Sequence, residues 1–121
     1  MKRAALVALL LSLHASRAGE VASWYGHELE GRPMANTKPF DPHRFTCAVW
    51  HVPLGSLLLV TNPQTEASVR VVVTDRGPAP WTGATIDLSE AAFRRLAALS
   101  KGHLRVKVRL IRSGHATSSH P

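Results

Sequence analysis

Cysteine is almost absent from this chain of 121 residues, in which Cys47 stands alone within an apolar run. No disulfide can form within the chain, and a single cysteine in such a run is usually a small buried hydrophobe. The histidines His27, His43 and His51 do not have the spacing of metal ligands. The sequence also lacks a glycine-rich phosphate loop and a recognisable Ser-His-Asp order. It therefore predicts a protein without a metal ion or another cofactor.

Acidic residues are also few: eight Asp and Glu stand against fifteen Lys and Arg, and the formal net charge is +7. The basic residues are spread along the chain and are not interleaved with the aromatic residues that stack on single-stranded nucleic acid. We therefore expect no nucleic-acid partner. Anionic cell-wall polymers, lipid head groups and acidic saccharides remain the expected partners of such a basic protein.

Long hydrophobic runs are missing as well. Ala4 to Leu13 is apolar but too short to span a bilayer, and it follows the charged pair Lys2 and Arg3. This run ends before Ser16-Arg17-Ala18, a typical cleavage site, so residues 1–18 are predicted to be a secretory signal peptide. The mature protein is expected to begin at Gly19, without a lipid anchor, and to be exported to the periplasm or the outside of the cell.

The remaining sequence alternates between polar and apolar residues over short stretches, which is typical of β-strands. Strands are predicted over residues 21–25, 47–52, 56–61, 68–75, 86–87 and 105–110. A long loop is predicted over 26–43, a hairpin over 56–75 and one helix over 89–99, with Ser89 as its cap. Strand 105–110 has one basic face, formed by Arg105, Lys107 and Arg109. These elements predict a mainly β barrel over residues 19–112, followed by a disordered tail over 113–121.

The stretch Asp75-Arg76-Gly77-Pro78 ends the most β-branched strand of the sequence. Period-2 alternation predicts that Asp75 lies on the same face as Val69, Val71 and Val73. Partial burial favours the protonated form of a carboxyl, and a protonated carboxyl is what a general acid needs. The alternative is an Asp-Arg pair that only closes a turn.

Seven short motifs together resemble the RlpA family of endolytic peptidoglycan transglycosylases. They are Ala22-Ser-Trp-Tyr-Gly26, Ala35-Asn36, Phe40-Asp41, Pro53-Leu-Gly55, Val60-Thr-Asn62, Asp75-Arg-Gly-Pro78 and Ile86-Asp-Leu-Ser89. The resemblance implies a six-stranded double-psi β-barrel that acts on cell-wall glycan strands. It also implies cleavage without water, which leaves a 1,6-anhydromuramoyl end, with Asp75 as both acid and base.

The same resemblance suggests which residues contact the glycan. The expected substrate-binding residues are Trp24, Tyr25, Asn36, Lys38, His51, Arg76 and Asp87. Most of these roles have an alternative. Trp24 and Tyr25 could instead pack in the core, Asn36 could serve a turn, and Arg76 could orient Asp75 rather than bind a glycan carboxylate. For Asp87, a contact with Arg76 or with the start of the helix is an alternative role. Two positions depart from the family pattern, because Lys38 stands where relatives carry an acid and Val49 where they carry a histidine.

These departures keep other interpretations open. One is a barrel that binds wall glycan without cutting it, as the expansin-like relatives of this fold are thought to do. Another is an interaction module, such as an inhibitor or a partner of another cell-wall enzyme, which the small size of the domain favours. Trp50 and Trp81 have no counterpart in the motifs, and either could line a glycan groove.

Overall fold

The computed structural model describes residues 17–114. Most of the predicted signal peptide, up to residue 16, lies outside the described residues, as does the predicted tail from 115 to 121. The strands are β1 (Arg17–Tyr25), β2 (Thr46–Ala48), β3 (Leu57–Thr61), β4 (Ser68–Asp75), β5 (Ile86–Ser89) and β6 (Leu104–Arg112). One α-helix, α1 (Glu90–Arg94), follows β5, and single 3-10 turns lie at His27–Leu29, Pro80–Thr82 and Leu99–Lys101.

The six strands close into a barrel in the order β1-β5-β2-β4-β3-β6. The pairs β1–β5 and β2–β4 are parallel, and the other neighbours are antiparallel. The barrel interior holds the fully buried side chains Val60, Val71, Ile86, Leu88, Phe93 and Val106. The predicted mainly β architecture with six strands and one short helix is confirmed.

The predicted hairpin is confirmed by the antiparallel pairing of β3 and β4, from Leu57 opposite Val72 to Thr61 opposite Ser68. Along β4 the side chains of Val69, Val71 and Val73 are buried, whereas Ser68, Arg70 and Val72 are exposed. The alternation in the sequence therefore gives the correct faces over most of this strand.

Strand β2 is shorter than the predicted 47–52, because it ends at Ala48. The carbonyl oxygens of Val49 and Val52 accept hydrogen bonds from Nη1 of Arg76 rather than from a neighbouring strand. His51 has a φ of 68°, which no strand adopts. Residues 49–52 therefore form a loop that is held by the guanidinium of Arg76.

The helix is also shorter than predicted, since α1 stops at Arg94. Ser89 caps it as predicted, and its Oγ accepts a hydrogen bond from the backbone N–H of Ala92. Beyond the helix, the side-chain amide of Asn62 donates to the carbonyl of Leu96 at 3.0 Å, and the side chain of Leu96 is buried. This hydrogen bond from the β3–β4 turn replaces one that a longer helix would supply.

Strands β1 and β6 extend beyond their predicted bounds. Arg17 pairs with Val108, so cleavage after Ala18 would remove the first paired residue of β1. After β6, the backbone N–H of Gly114 donates to Oγ of Ser56 at 2.8 Å, so the ordered chain continues two residues past the predicted end of the domain. Over residues 17–114, no helix is long and apolar enough to cross a bilayer.

Candidate functional site

Four residues on adjacent strands form a single row across the outside of the barrel. Ser23 of β1 pairs with Asp87 of β5, Asp87 pairs with Ala48 of β2, and Ala48 pairs with Asp75 of β4. Neighbouring strands lie about 4.8 Å apart, so the backbones of the two aspartates are separated by roughly 10 Å. The fold therefore brings two carboxylates together from positions twelve residues apart in the chain.

A β-bulge in β4 turns Asp75 toward this row. Cys47 pairs with Val73, but the next residue of β2, Ala48, pairs with Asp75, so Thr74 is an extra residue in β4. Val73 and Thr74 are both buried, as expected where the alternation is interrupted. The prediction that Asp75 shares the face of the valines is therefore wrong, because the bulge moves its side chain to the outer face.

The carboxylate of Asp75 is held by the backbone. Its Oδ1 accepts hydrogen bonds from the N–H groups of Ala35 and Arg76, each at 2.9 Å. Two such donors on one oxygen fix the orientation of the carboxylate. Among residues 17–114, Oδ2 of Asp75 has no hydrogen-bond partner and is free to meet a ligand.

Asp87 has a different environment from Asp75. Burial raises the pKa of the Asp87 carboxyl to about 6, the hydrogen bond from Oγ of Ser23 opposes this rise, and the charge of Asp75 adds to it. That hydrogen bond is 2.9 Å long and reaches Oδ1. A carboxyl with this pKa carries a proton for part of the time near neutral pH, so Asp87 meets the requirement of a general acid.

Between the two aspartates lies Ala48, whose methyl side chain is buried. Tyr25 and Phe40 pack beside it with ring centroids 4.5 Å apart. Leu29 and Met34 complete this second apolar cluster, which lies outside the barrel core. The long loop after β1 therefore folds back over the outer face and forms one wall of the site.

The hydroxyl of Tyr25 is buried close to both acids. Burial, followed by the charges of Asp87 and Asp75, raises the pKa of this hydroxyl. It lies beside Oγ1 of Thr46 without a well-aligned hydrogen bond, and neither oxygen has a partner among the described residues. Tyr25 thus keeps a proton that it can donate, whereas its ring serves as packing against Phe40.

Asn36 and Lys38 lie in a turn that rests on the end of β4. The N–H of Asn36 donates to the carbonyl of Thr74, and its side-chain Oδ1 accepts from the N–H of Lys38 at 2.9 Å. The side chain of Asn36 is therefore used in the turn itself, and that of Lys38 is exposed. The same turn supplies the Ala35 N–H to Asp75.

Arg76 is a positioning residue in this structure. Its guanidinium binds the loop 49–52 through two carbonyl oxygens, so the expected contact between Arg76 and Asp87 does not form. The helix start is not a partner of Asp87 either, because Asp87 accepts its hydrogen bond from Ser23. His51 is exposed in the loop that Arg76 holds, and the side chain of Val49 packs against the barrel core.

The three tryptophans differ sharply in exposure. Trp24 packs on Phe93, and its Nε1 donates to the carbonyl of Leu99 at 3.0 Å, so it anchors the core rather than the site. Trp50 is 46% exposed and donates to the carbonyl of Pro78 at 2.7 Å, and Trp81 is 87% exposed. Both exposed rings lie on or against the segment that follows Asp75 and Arg76.

Three of the four residues in the row were not predicted to lie together. Asp87 was expected only as a binding or structural residue, and Ser23 and Ala48 were not singled out. The alternation of Ile86, Asp87 and Leu88 is a signal that points Asp87 away from the core. Its partner strand cannot be read from the sequence, because β5 pairs with β1 and β2 from distant parts of the chain.

Ionisation of Asp87 gives a prediction about stability. A folded-state pKa raised from 3.8 to about 6 means that the fold loses stability as pH rises through 6. Asp87→Asn is therefore expected to raise the free energy of unfolding at pH 7.5 by roughly 1–3 kcal/mol, with the gain shrinking toward pH 4. Urea unfolding at several pH values measures this difference.

Asp41→Asn is a matched control for that measurement. Hydrogen bonding from His43 lowers the pKa of the exposed Asp41 carboxyl, so the pH dependence has the opposite sign. A gain for Asp87→Asn that is equal at pH 4 and pH 7.5 would contradict the assignment of a raised pKa to Asp87.

Two shallow clefts lie away from the carboxylates. One, of about 420 Å³, is lined by Pro42, His43, Phe45, Glu90, Ala91, Arg94 and Arg95. The other, of about 480 Å³, is lined by Phe45, Leu59, Ser68, Val69, Arg70 and Arg95. Neither contains an acid of the row. The part of the chain from 17 to 114 has no group of three His, Cys, Asp or Glu side chains arranged to hold a metal ion.

Comparison with known proteins identifies relatives of the whole barrel. A family described as lytic transglycolase matches residues 17–108. The endolytic peptidoglycan transglycosylase RlpA of Pseudomonas aeruginosa is 42% identical over 87 residues, which are 72% of this chain and 25% of that protein. A probable endolytic peptidoglycan transglycosylase RlpA of Aquifex aeolicus is 36% identical over 94 residues, or 78% of this chain and 41% of that protein. The chain thus spans a quarter to two fifths of these relatives.

Solved structures show the same barrel. A Streptomyces papain inhibitor superimposes with a TM-score of 0.66 and 24% identity over 83% of this chain and 97% of that chain, a likeness of fold alone. A mutant of the Clavibacter michiganensis expansin in complex with cellohexaose gives a TM-score of 0.61 and 25% identity, over 78% of this chain and 50% of that chain.

Proposed function

Because this chain belongs to the RlpA family of lytic transglycolases, which fold as a double-psi β-barrel, we propose that it is an exported endolytic peptidoglycan transglycosylase. It cleaves the bond between N-acetylmuramic acid and N-acetylglucosamine and leaves a 1,6-anhydromuramoyl end. The observation that carries the proposal is the row of Ser23, Asp87, Ala48 and Asp75, which places two carboxylates on the same outer face of the barrel.

The reaction needs one proton donor and one proton acceptor. Asp87, as the acid, protonates the glycosidic oxygen while the bond from that oxygen to C1 of the muramic residue breaks. The 6-hydroxyl of the same sugar attacks C1, and Asp75 accepts the proton that this hydroxyl loses. No water is consumed, and the proton balance is restored when Asp75 returns a proton to Asp87 through solvent. Asp75 thus keeps a catalytic role, while the acid role passes to Asp87.

The row places the backbones of the two acids roughly 10 Å apart on the same outer face. Carboxyl groups that act on opposite sides of a sugar ring stand about 6.5–9.5 Å apart when a water lies between them. Here the sugar's own 6-hydroxyl takes the place of that water. Two backbone donors orient Asp75, and burial raises the pKa of the Asp87 carboxyl.

Exposed aromatic rings supply the expected contacts with glycan. Trp81 and Trp50 flank the segment after Asp75, where their faces can stack on sugar rings of a strand that crosses the row. The substrate is therefore proposed to be an extended glycan strand. Trp24, by contrast, is assigned to the core by its contact with Phe93.

Digestion of purified denuded glycan tests this function. Products with 1,6-anhydromuramoyl ends, identified by mass spectrometry, are expected. Binding of the same glycan without any such product would favour the alternative, a non-catalytic expansin-like barrel. Two observations favour that alternative: Lys38 and Val49 replace the family's acid and histidine, and a structurally similar expansin binds cellohexaose.

The two replaced positions provide a prediction that separates these functions. Lys38→Glu combined with Val49→His is expected to raise the cleavage rate by about a hundredfold, since each general acid–base contact is worth roughly that much. The backbone N–H of Val49 donates to the carbonyl of Asp75, so this position is tied to the end of β4. Rates of anhydro-end formation on denuded glycan measure the effect.

The single variants serve as controls, because groups that act in one transition state are strongly non-additive. Lys38→Glu alone changes an exposed side chain and leaves the core contact of Val49 intact. A parent protein that cleaves efficiently and loses activity in the double variant would contradict the prediction. It would mean that Lys38 and His51 belong to a rearranged but working site.

A further inference from the structure

One outer face of the barrel carries six exposed cations, which together we call the basic face. They are Arg70, Arg95, Arg105, Lys107, Arg109 and Arg112. The outward positions of β3 and β6, and those of β4 from Ser68 to Val72, hold no Asp or Glu. Among residues 17–114, none of the six cations has a salt-bridge partner. The positive charge of this face is therefore not neutralised by the protein itself.

The strand register spreads these charges in two dimensions. Leu59 of β3 pairs with Arg70 on one side and with Arg109 on the other, and Leu57 pairs with Arg112. The strand spacing puts Arg70 and Arg109 roughly 10 Å apart, and successive outward residues along β6 lie about 7 Å apart. The cations thus surround a central row of leucines rather than forming a single line.

Apolar side chains share this surface with the cations. Phe45 is 37% exposed at the edge of the face, and the guanidinium of Arg95 lies 4.8 Å from the centre of its ring. Val72 is also exposed, beside Leu57. The cleft of about 480 Å³ opens between Phe45, Leu59 and Arg70. Such a mixture of basic and apolar groups suits the boundary between water and hydrocarbon.

We propose that the basic face docks this domain on the surface of an anionic phospholipid bilayer. A bilayer offers phosphate groups in two dimensions, which matches the arrangement of the cations, and its head-group region accepts Phe45 and the leucines. A linear polyanion would contact only one line of cations and would not contact the leucines between them. The outside of a barrel is also convex, so it does not enclose a polymer.

The strand order keeps the candidate active site open in this orientation. In the closed barrel, β3 lies opposite β5 and β6 lies opposite β2. Asp87 and Ala48 therefore face away from a bilayer that contacts β3 and β6. Docking and glycan cleavage can then occur on the same molecule, and the docking does not depend on the proposed reaction.

Flotation with lipid vesicles tests this surface. The full chain is mixed with vesicles of equimolar phosphatidylglycerol and phosphatidylcholine, or of phosphatidylcholine alone. The variant Arg70→Glu with Arg109→Glu removes the cations on both sides of Leu59. Its matched control, Arg32→Glu with Lys101→Glu, makes the same change in net charge at exposed positions outside the face. Each cation near an anionic leaflet contributes a factor of roughly five.

We therefore expect the face variant to partition onto anionic vesicles at least about 25-fold less than the parent, and the control to change less than threefold. Leu59→Ser is expected to weaken partitioning with no change in charge. Equal losses in the face variant and the control would overturn the proposal, since net charge alone would then explain binding. Binding to soluble polyphosphate that is as tight as binding to vesicles, and insensitive to Leu59→Ser, would overturn it in favour of a polyanion.

Discussion

Replacing Asp75 with Asn is expected to reduce the formation of 1,6-anhydromuramoyl ends by a factor of about 10² to 10⁴, the range typical of a lost acid–base group. The amide cannot accept the proton that the 6-hydroxyl gives up. Its oxygen can still accept the hydrogen bonds from Ala35 and Arg76, so the turn beside the site and the fold should remain. Mass spectrometry of digested denuded glycan measures the loss.

Two controls make this result specific. Glu66→Gln makes the same chemical change at an exposed acid in the β3–β4 turn and should leave the rate unchanged. Glycan binding, followed by quenching of the exposed tryptophans, should survive in Asp75→Asn. If the variant cleaves nearly as fast as the parent, Asp75 is not the base. If neither protein releases anhydro ends, the binding-only alternative is supported.

For Asp87→Asn, a rate reduction of at least a hundredfold is expected, together with a change in the pH profile. The pKa of Asp87 is raised to about 6, so the acid is protonated below this pH and ionised above it. The parent rate should therefore fall as pH rises beyond 6, by up to tenfold per pH unit. The residual rate of the variant should lack this fall, because an amide does not titrate.

Ser23→Ala provides the positioning control for this experiment. The hydrogen bond from Ser23 lowers the pKa of Asp87. Its removal should therefore shift the fall of the cleavage rate to higher pH. The maximal rate should change little, since the acid itself is kept. If the fall in rate occurs at the same pH in Ser23→Ala, or persists in Asp87→Asn, the group that titrates is not Asp87.

Local patterns in the sequence predicted the strands well and their ends poorly. The alternation over β4 identified its buried valines, since every second residue there contacts the core. The end of β2 depends on Arg76, which lies 27 residues beyond Val49 and binds its carbonyl. The end of α1 depends on Asn62, which is 34 residues from Leu96. Neither contact can be predicted from the residues that surround it in the sequence.

In the candidate site, too, local features could be predicted and features that depend on the folded chain could not. The motif around Asp75 could be recognised from its residues, but the acid role of Asp87 depends on how the loop after β1 covers the outer face. Burial is the largest contribution to its raised pKa, and burial is a property of the folded chain. Arg76 was assigned to the glycan because its guanidinium suits carboxylates, whereas two backbone carbonyls bind it.

The bulge at Thr74 decides which face of the barrel the side chain of Asp75 occupies. In a regular ladder Thr74 would pair with Ala48, and the carboxylate of Asp75 would then turn into the barrel. The valines before it would keep their places, so the barrel could persist without its base. A one-residue shift in strand pairing, with every residue type retained, therefore decides whether the proposed base reaches the outer face.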